Sequence, residues 1–322
     1  MPTNNGRGAV GEETYILKID TGSGSSSRPI AGATHRMSPA AVATLLLTGC
    51  SPAAALNLLT WRHGTEIVRS IAYGENPRQK LDVYRPTSAA KTPIIVFFYG
   101  GSWQTGEKGT YLFVAAALAK RGFVAIVPDY RVYPEVRYPA FLEDGARAAR
   151  WARDNGARFG GDPDKLFIMG HSAGAYIAAM LALDGRWLQD VNLMPNRDIA
   201  GLIGISGPYD FLPLHDAALK DIFGGANNAA TQPISHVTDG APPAFLATSK
   251  RDETVDPGNA RRLASRLAAA GNRATVKTYP WVSHLSIMGA FAQPLRFLAP
   301  VLDDVDTFIA SVVVNPVSAQ GP

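Results

Sequence analysis

The segment from Lys165 to Leu183 constrains the fold of this chain more than any other. Lys165–Gly170 is a short apolar run of strand length. Gly170-His171-Ser172-Ala173-Gly174 follows, and Ala173–Leu183 then carries helical spacing. A strand that passes directly into a helix belongs to a βα unit, whose helix crosses one face of a parallel sheet. The same alternation recurs from about residue 93 onward. Strands are predicted at 94–99, 123–127, 165–170, 199–205, 244–247 and 274–279. Helices are predicted at 111–121, 141–158, 173–183, 257–270 and 295–313, two of them ending at Gly122 and Gly271. Ahead of them, 67–73 and 81–84 alternate like the arms of a hairpin turning through Gly74 to Arg78. The expected architecture is α/β: a mostly parallel sheet of about eight strands, helices on both faces, and antiparallel edge strands from the hairpin.

At 322 residues, 46% of them apolar and 18% charged, the chain can bury one large core. No break in composition divides residues 65–315, which read as a single catalytic domain. The irregular stretch around 207–243 is long for a connection and is expected to act as a small lid. The net charge of +4 is spread without a basic block, which argues against nucleic acid as a partner.

The first 49 residues differ in character. Residues 1–36 are rich in Gly, Ser, Thr and Asn. A short apolar run from Met37 then ends in Leu47-Thr48-Gly49-Cys50, the only cysteine of the chain. Arg28 and Arg36 precede a segment too short to span a bilayer, the layout of a secretory signal. The four residues ending at Cys50 resemble a bacterial lipoprotein box, in which the cysteine is lipidated after cleavage. On that reading the protein is anchored in the periplasm or outer membrane through Cys50, with 50–64 as a linker and 316–322 as a flexible tail. The leader before Met37 is long for a signal, which points to a start at Met37. The plain alternative is a disordered leader on a cytoplasmic protein.

Gly170–Gly174 carries the chemistry. G-x-S-x-G between a strand and a helix is a nucleophile elbow: the glycines relieve crowding in a sharp turn that lifts Ser172 above the sheet edge. A serine hydroxyl needs an adjacent base. In proteins built this way the order along the chain is serine, acid, histidine. Of six histidines, His35, His63 and His171 precede Ser172, and His215 and His236 lie in the expected lid. His284, after the last predicted strand, fits the order. Asp252, Glu253 and Asp256 follow the strand at 244–247. Asp256 stands before Pro257 and a helical run, where a capping role explains it. Asp252 has no such duty and is preferred as the acid. The buried strand 94–99 stops on Gly100-Gly101-Ser102-Trp103, which weakens a strand but lets backbone N–H groups face a ligand. Such a loop, with the N–H after the nucleophile, here Ala173, forms an oxyanion hole.

These segments, with Gly106–Lys108, Asp129–Pro134, Phe159–Pro163 and Ser206–Asp210, resemble the α/β-hydrolase superfamily, specifically carboxylesterases with an HGGxW-type oxyanion loop. The resemblance spans nearly all of residues 65–312. It implies a triad of Ser172, Asp252 and His284, with Gly101, Ser102 and Ala173 as oxyanion donors. Trp103 and Tyr209 are expected in the substrate pocket, or else in ordinary aromatic packing. Tyr99 departs from the pattern, standing where many relatives carry histidine. The activity implied is hydrolysis of short-chain acyl or aryl esters without a cofactor. No metal is expected, since the histidines lack ligand spacing. The alternatives are an arylformamidase using the same triad, and a non-catalytic binding protein on the same scaffold.

Overall fold

The computed structural model describes residues 52–60, 62–88 and 91–314. Cys50, the leader and the tail from 316 fall outside them. Eight strands form one sheet: β1 (Thr65–Ala72), β2 (Lys80–Pro86), β3 (Thr92–Phe98), β4 (Val124–Pro128), β5 (Gly161–His171), β6 (Gly201–Ile205), β7 (Ala244–Arg251) and β8 (Ala274–Ser283). Their spatial order is β1-β2-β4-β3-β5-β6-β7-β8. β1 pairs antiparallel with β2, and β2 with β4; every later pairing is parallel. This is the α/β-hydrolase fold anticipated from the alternation.

The central strands lack polar alternation because both faces are covered. All five residues of β4 and of β6 are buried. The helix that follows Ser172, Ala173–Leu183, is apolar on every side, and all its residues are buried. The outer helices Ala140–Asn155 and Gly258–Ala269 bury one face each.

Several boundaries differ from the sequence reading. A seven-residue helix, Pro52–Leu58, occupies the expected linker, and its Asn57 side-chain N–H groups donate to the carbonyls of Gly109 and Thr110. The helix expected at 295–313 is divided. Gln293–Leu298 is a 3₁₀ segment and the α-helix runs from Val301 to Val314, because Pro300 cannot continue a helix. β7 and β8 run four residues further than expected. β8 tolerates Pro280 because it is an edge strand, where no neighbour needs that N–H. The longer strands matter, because Asp252 and His284 now directly follow strand ends.

Since β3, β5, β6, β7 and β8 are mutually parallel, their C-terminal ends share one sheet edge. The residues just past those ends are Gly100–Trp103, Ser172, Ser206–Asp210, Asp252 and His284. The topology therefore gathers these residues along a single edge, where open α/β sheets bind ligands.

Packing at the elbow requires both flanking glycines. A Cβ on Gly170 would stand 2.1 Å from the Gly174 carbonyl oxygen, and one on Gly174 would stand 2.1 Å from the Phe98 carbonyl oxygen. Both obstacles are backbone and cannot swing aside. Gly174→Ala is expected to destabilise the fold by about 3 kcal/mol, the upper range for overpacking. A urea midpoint unchanged from wild type would contradict this packing.

Candidate active site

Ser172 lies between β5 and its helix with φ 54° and ψ −124°. A non-glycine residue in this region is strained, and such strain persists where the surroundings impose it. The Ser172 N–H donates to the Ile205 carbonyl at 2.9 Å, tying the elbow to β6. Ser172 is nearly buried, as are Asp252 and His284.

Asp252 begins the loop after β7. Its Oδ2 lies 2.9 Å from His284 Nδ1, while Oδ1 accepts from the N–H groups of Thr254 at 3.0 Å and Val255 at 2.8 Å. Burial raises its pKa, but the bonds from His284 and Val255 outweigh that and hold the carboxyl below its ordinary value. The ionised carboxylate only accepts, so His284 Nδ1 carries the proton and Nε2 keeps a free lone pair. The buried Ser206 hydroxyl sits beside this carboxylate but reaches hydrogen-bond geometry with no described residue.

The competing acids are elsewhere. Asp256 Oδ1 accepts from the Gly258 N–H at 2.8 Å and its Oδ2 pairs with Arg262 at 2.9 Å. It caps the start of its helix, as its position before Pro257 suggested. Glu253 is exposed.

The loop after β3 carries three successive unusual conformations: Gly101 at φ 140°, Ser102 at 52° and Trp103 at 58°. The Gly101 carbonyl accepts from Gln104 N–H at 2.9 Å and Thr105 N–H at 3.0 Å. In a trans peptide the next N–H points the opposite way, so the Ser102 N–H is turned out of that bend. Among the described residues, none accepts from the N–H of Gly101, Ser102 or Ala173. Gly100 brings the loop against the elbow: a Cβ there would meet Ser172 Cβ at 3.0 Å.

Tyr99 braces the loop after β3 from behind. Its hydroxyl donates to Asp129 Oδ1 at 2.9 Å and accepts from Arg78 Nη2 at 3.1 Å. Arg78 also donates to the carbonyls of Tyr130 and Gly106, and the Tyr130 hydroxyl donates to the Tyr99 carbonyl. Arg78 and Asp129 thus hold the loop from behind. Neither stood out as a site residue in the sequence, although Asp129 opens one of the matching segments.

The two expected pocket residues are both buried among their neighbours. Trp103 packs edge-on against Tyr176 at 5.1 Å and Phe223 at 4.9 Å between ring centroids, and stacks on Phe211 at 6.1 Å. The segment 207–243 supplies Phe211 and Phe223, which pack their rings on Trp103 in the loop after β3. Tyr209 is fully buried, with its ring against Gly204 and Gly207, in the packing role that was its alternative reading. The absence of a Cβ at both glycines opens a slot that the ring fills as packing. Its N–H and that of Asp210 donate to Asn259 Oδ1, another residue that sequence reasoning passed over. Among the described residues, no group of three or more His, Cys, Asp or Glu could hold a metal ion.

The BD-FAE family model matches residues 81–267, more than half of the chain. The chain belongs to the BD-FAE family. The BD-FAE match includes Ser172 and Asp252, while His284 lies beyond it. This BD-FAE chain is 34% identical over 157 residues to a probable isoprenylcysteine alpha-carbonyl methylesterase of Oryza sativa subsp. japonica, covering 47% of this chain and 37% of that protein. It is 30% identical over 232 residues to an esterase of Mycobacterium tuberculosis, covering 62% of this chain and 55% of that one. The BD-FAE chain thus spans about half or less of these relatives. Its fold matches Thermogutta terrifontis esterase 2 phosphonylated by sarin, with a TM-score of 0.66 and 25% identity over 81% of this chain and 98% of that one.

Proposed function

We propose that the chain is a serine carboxylesterase acting on short-chain acyl or aryl esters. The observation that carries this reading is the buried Asp252–His284 pair, 2.9 Å apart, on the sheet edge that bears the strained Ser172. His284 Nε2 takes the Ser172 proton as the hydroxyl oxygen attacks the ester carbonyl carbon. The carbonyl oxygen becomes an oxyanion, held by the N–H groups of Gly101, Ser102 and Ala173. One such donor contributes about 3 kcal/mol in the transition state. Collapse expels the alcohol, which takes the proton from His284 and leaves an acyl-Ser172. Water gives a proton to His284 as it attacks the acyl carbonyl; collapse breaks the bond to Ser172 Oγ, which takes that proton back, and releases the acid.

The relatives named for esterase and methylesterase activity support an ester substrate, and the fold neighbour phosphonylated by sarin supports a nucleophilic group in the site. The Trp103, Phe211 and Phe223 cluster favours short or planar groups. Hydrolysis of p-nitrophenyl acetate, butyrate, decanoate and a feruloyl ester, compared with N-formylkynurenine, tests the reading. The expected order is acetate or butyrate above decanoate, with N-formylkynurenine slower by orders of magnitude. Faster deformylation would make the chain an arylformamidase.

We also propose that Cys50 is lipidated, which would tether the domain within two residues of the helix Pro52–Leu58. Expressed with its leader in a bacterium, the protein should fractionate with membranes, and Cys50→Ala should release or misprocess it. An unmodified Cys50 on an intact leader in the mature product would exclude this anchoring.

A further inference from the structure

His171 lies between the first glycine and the serine of the elbow, and the mechanism above gives it no task. It is 2% exposed. Its Nε2 stands 3.0 Å from the backbone carbonyl oxygen of His284. A carbonyl can only accept, so Nε2 carries the proton and Nδ1 is left as a bare acceptor. Nδ1 is buried and has no partner among the described residues. It faces the oxyanion loop, where a Cβ on Gly100 would stand 3.1 Å from it. The His171 and His284 rings lie 4.8 Å apart between centroids, with their planes at 41°. One side chain therefore touches the elbow, the oxyanion loop and the segment that carries His284.

An apolar residue would fill this site without burying an unpaired nitrogen. Histidine accepts that cost, and what it gains is one hydrogen bond to the His284 main chain. Among the described residues, no other donor reaches that carbonyl. Burial, and then the neighbouring His284, push the pKa of His171 down to about 3, so the ring stays neutral wherever a serine esterase works. A neutral ring next to His284 adds no repulsion when His284 becomes an imidazolium. Asp252 fixes the His284 ring through Nδ1, and His171 fixes the backbone from which that ring projects.

We propose that His171 is a positioning residue, whose Nε2–H anchors the His284 carbonyl and keeps the catalytic imidazole aligned between Asp252 and Ser172. The proposal rests on the serine-esterase reading. In the full chain, His171→Leu removes the donor but keeps an apolar filler. His171→Gln keeps an N–H that can reach the same carbonyl. With p-nitrophenyl butyrate, His171→Leu should lower kcat on the order of 10- to 100-fold, the scale of an ångström-sized misplacement. KM should stay within about threefold, because the substrate-binding groups are untouched. His171→Gln should recover kcat to within roughly fivefold of wild type. Thermal midpoints are measured alongside, and His171→Phe replaces the leucine variant if that fails to fold.

A role in packing alone predicts the reverse, with the apolar variant fully active and the glutamine variant impaired. Either that order, or equal kcat in all folded variants, overturns the proposal. Wild-type protein is also treated with a fluorophosphonate. If it neither labels at Ser172 nor hydrolyses esters, it is the serine-esterase reading that fails.

Discussion

Ser172→Ala should abolish ester hydrolysis, with kcat reduced roughly 10⁴- to 10⁶-fold, the range for loss of a nucleophile that acts as one unit with its base. The side chain lost is a single hydroxyl, and no described hydrogen bond depends on it. The elbow itself is held by backbone bonds, Ser172 N–H to Ile205 and Ala175 N–H to the Ser172 carbonyl, which alanine retains. The variant should therefore fold, bind substrate with a similar KM, and show an unchanged melting midpoint. A purified variant keeping more than about a hundredth of wild-type turnover would mean that another group attacks the ester.

The second large effect separates two aspartates four residues apart. Asp252→Asn should lower kcat by up to ~10⁴-fold. The asparagine amide can present an N–H to His284 Nδ1, which moves the ring proton to Nε2 and removes the lone pair needed to accept from Ser172. Asp256→Asn should leave kcat within a few-fold, since asparagine accepts the Gly258 N–H about as well as aspartate. It loses the ion pair with Arg262, which is largely exposed and so contributes under about 1 kcal/mol. The two variants are compared at pH 8, where an ordinary histidine is mostly neutral. A large loss in Asp256→Asn beside a normal Asp252→Asn would reverse the assignment, and normal rates in both would move the acid elsewhere.

The fold is largely legible because a buried parallel sheet writes itself as short apolar runs between helical ones, which marks six of the eight strands, while the two antiparallel ones show as an alternating hairpin. Their ends were less clear. Pro280 reads as a stop, yet on an edge strand it is harmless, so β8 continues to Ser283 and delivers His284. Ser172, Asp252 and His284 could be singled out because triad order and strand position restrict the candidates. Residues acting from behind the site carried no such signal. Arg78 and Asp129 meet at Tyr99 from two loops distant in sequence, and Asn259 reaches Tyr209 from a helix start. Nothing in one sequence announces such meetings. For Tyr209 the sequence leaves a pocket wall and plain packing equally open, because the slot that Gly204 and Gly207 make for its ring is visible only once the chain is folded.

Trapping the acyl-enzyme tests the central claim most directly. The protein is mixed with p-nitrophenyl butyrate, quenched in acid within the first turnovers, digested, and read by peptide mass spectrometry. The account predicts a butyryl group on Ser172, absent from Ser172→Ala and accumulating in Asp252→Asn only as slowly as that variant acylates. Butyrate released by the wild type with no acyl group on Ser172, or with the group on another residue, would contradict it.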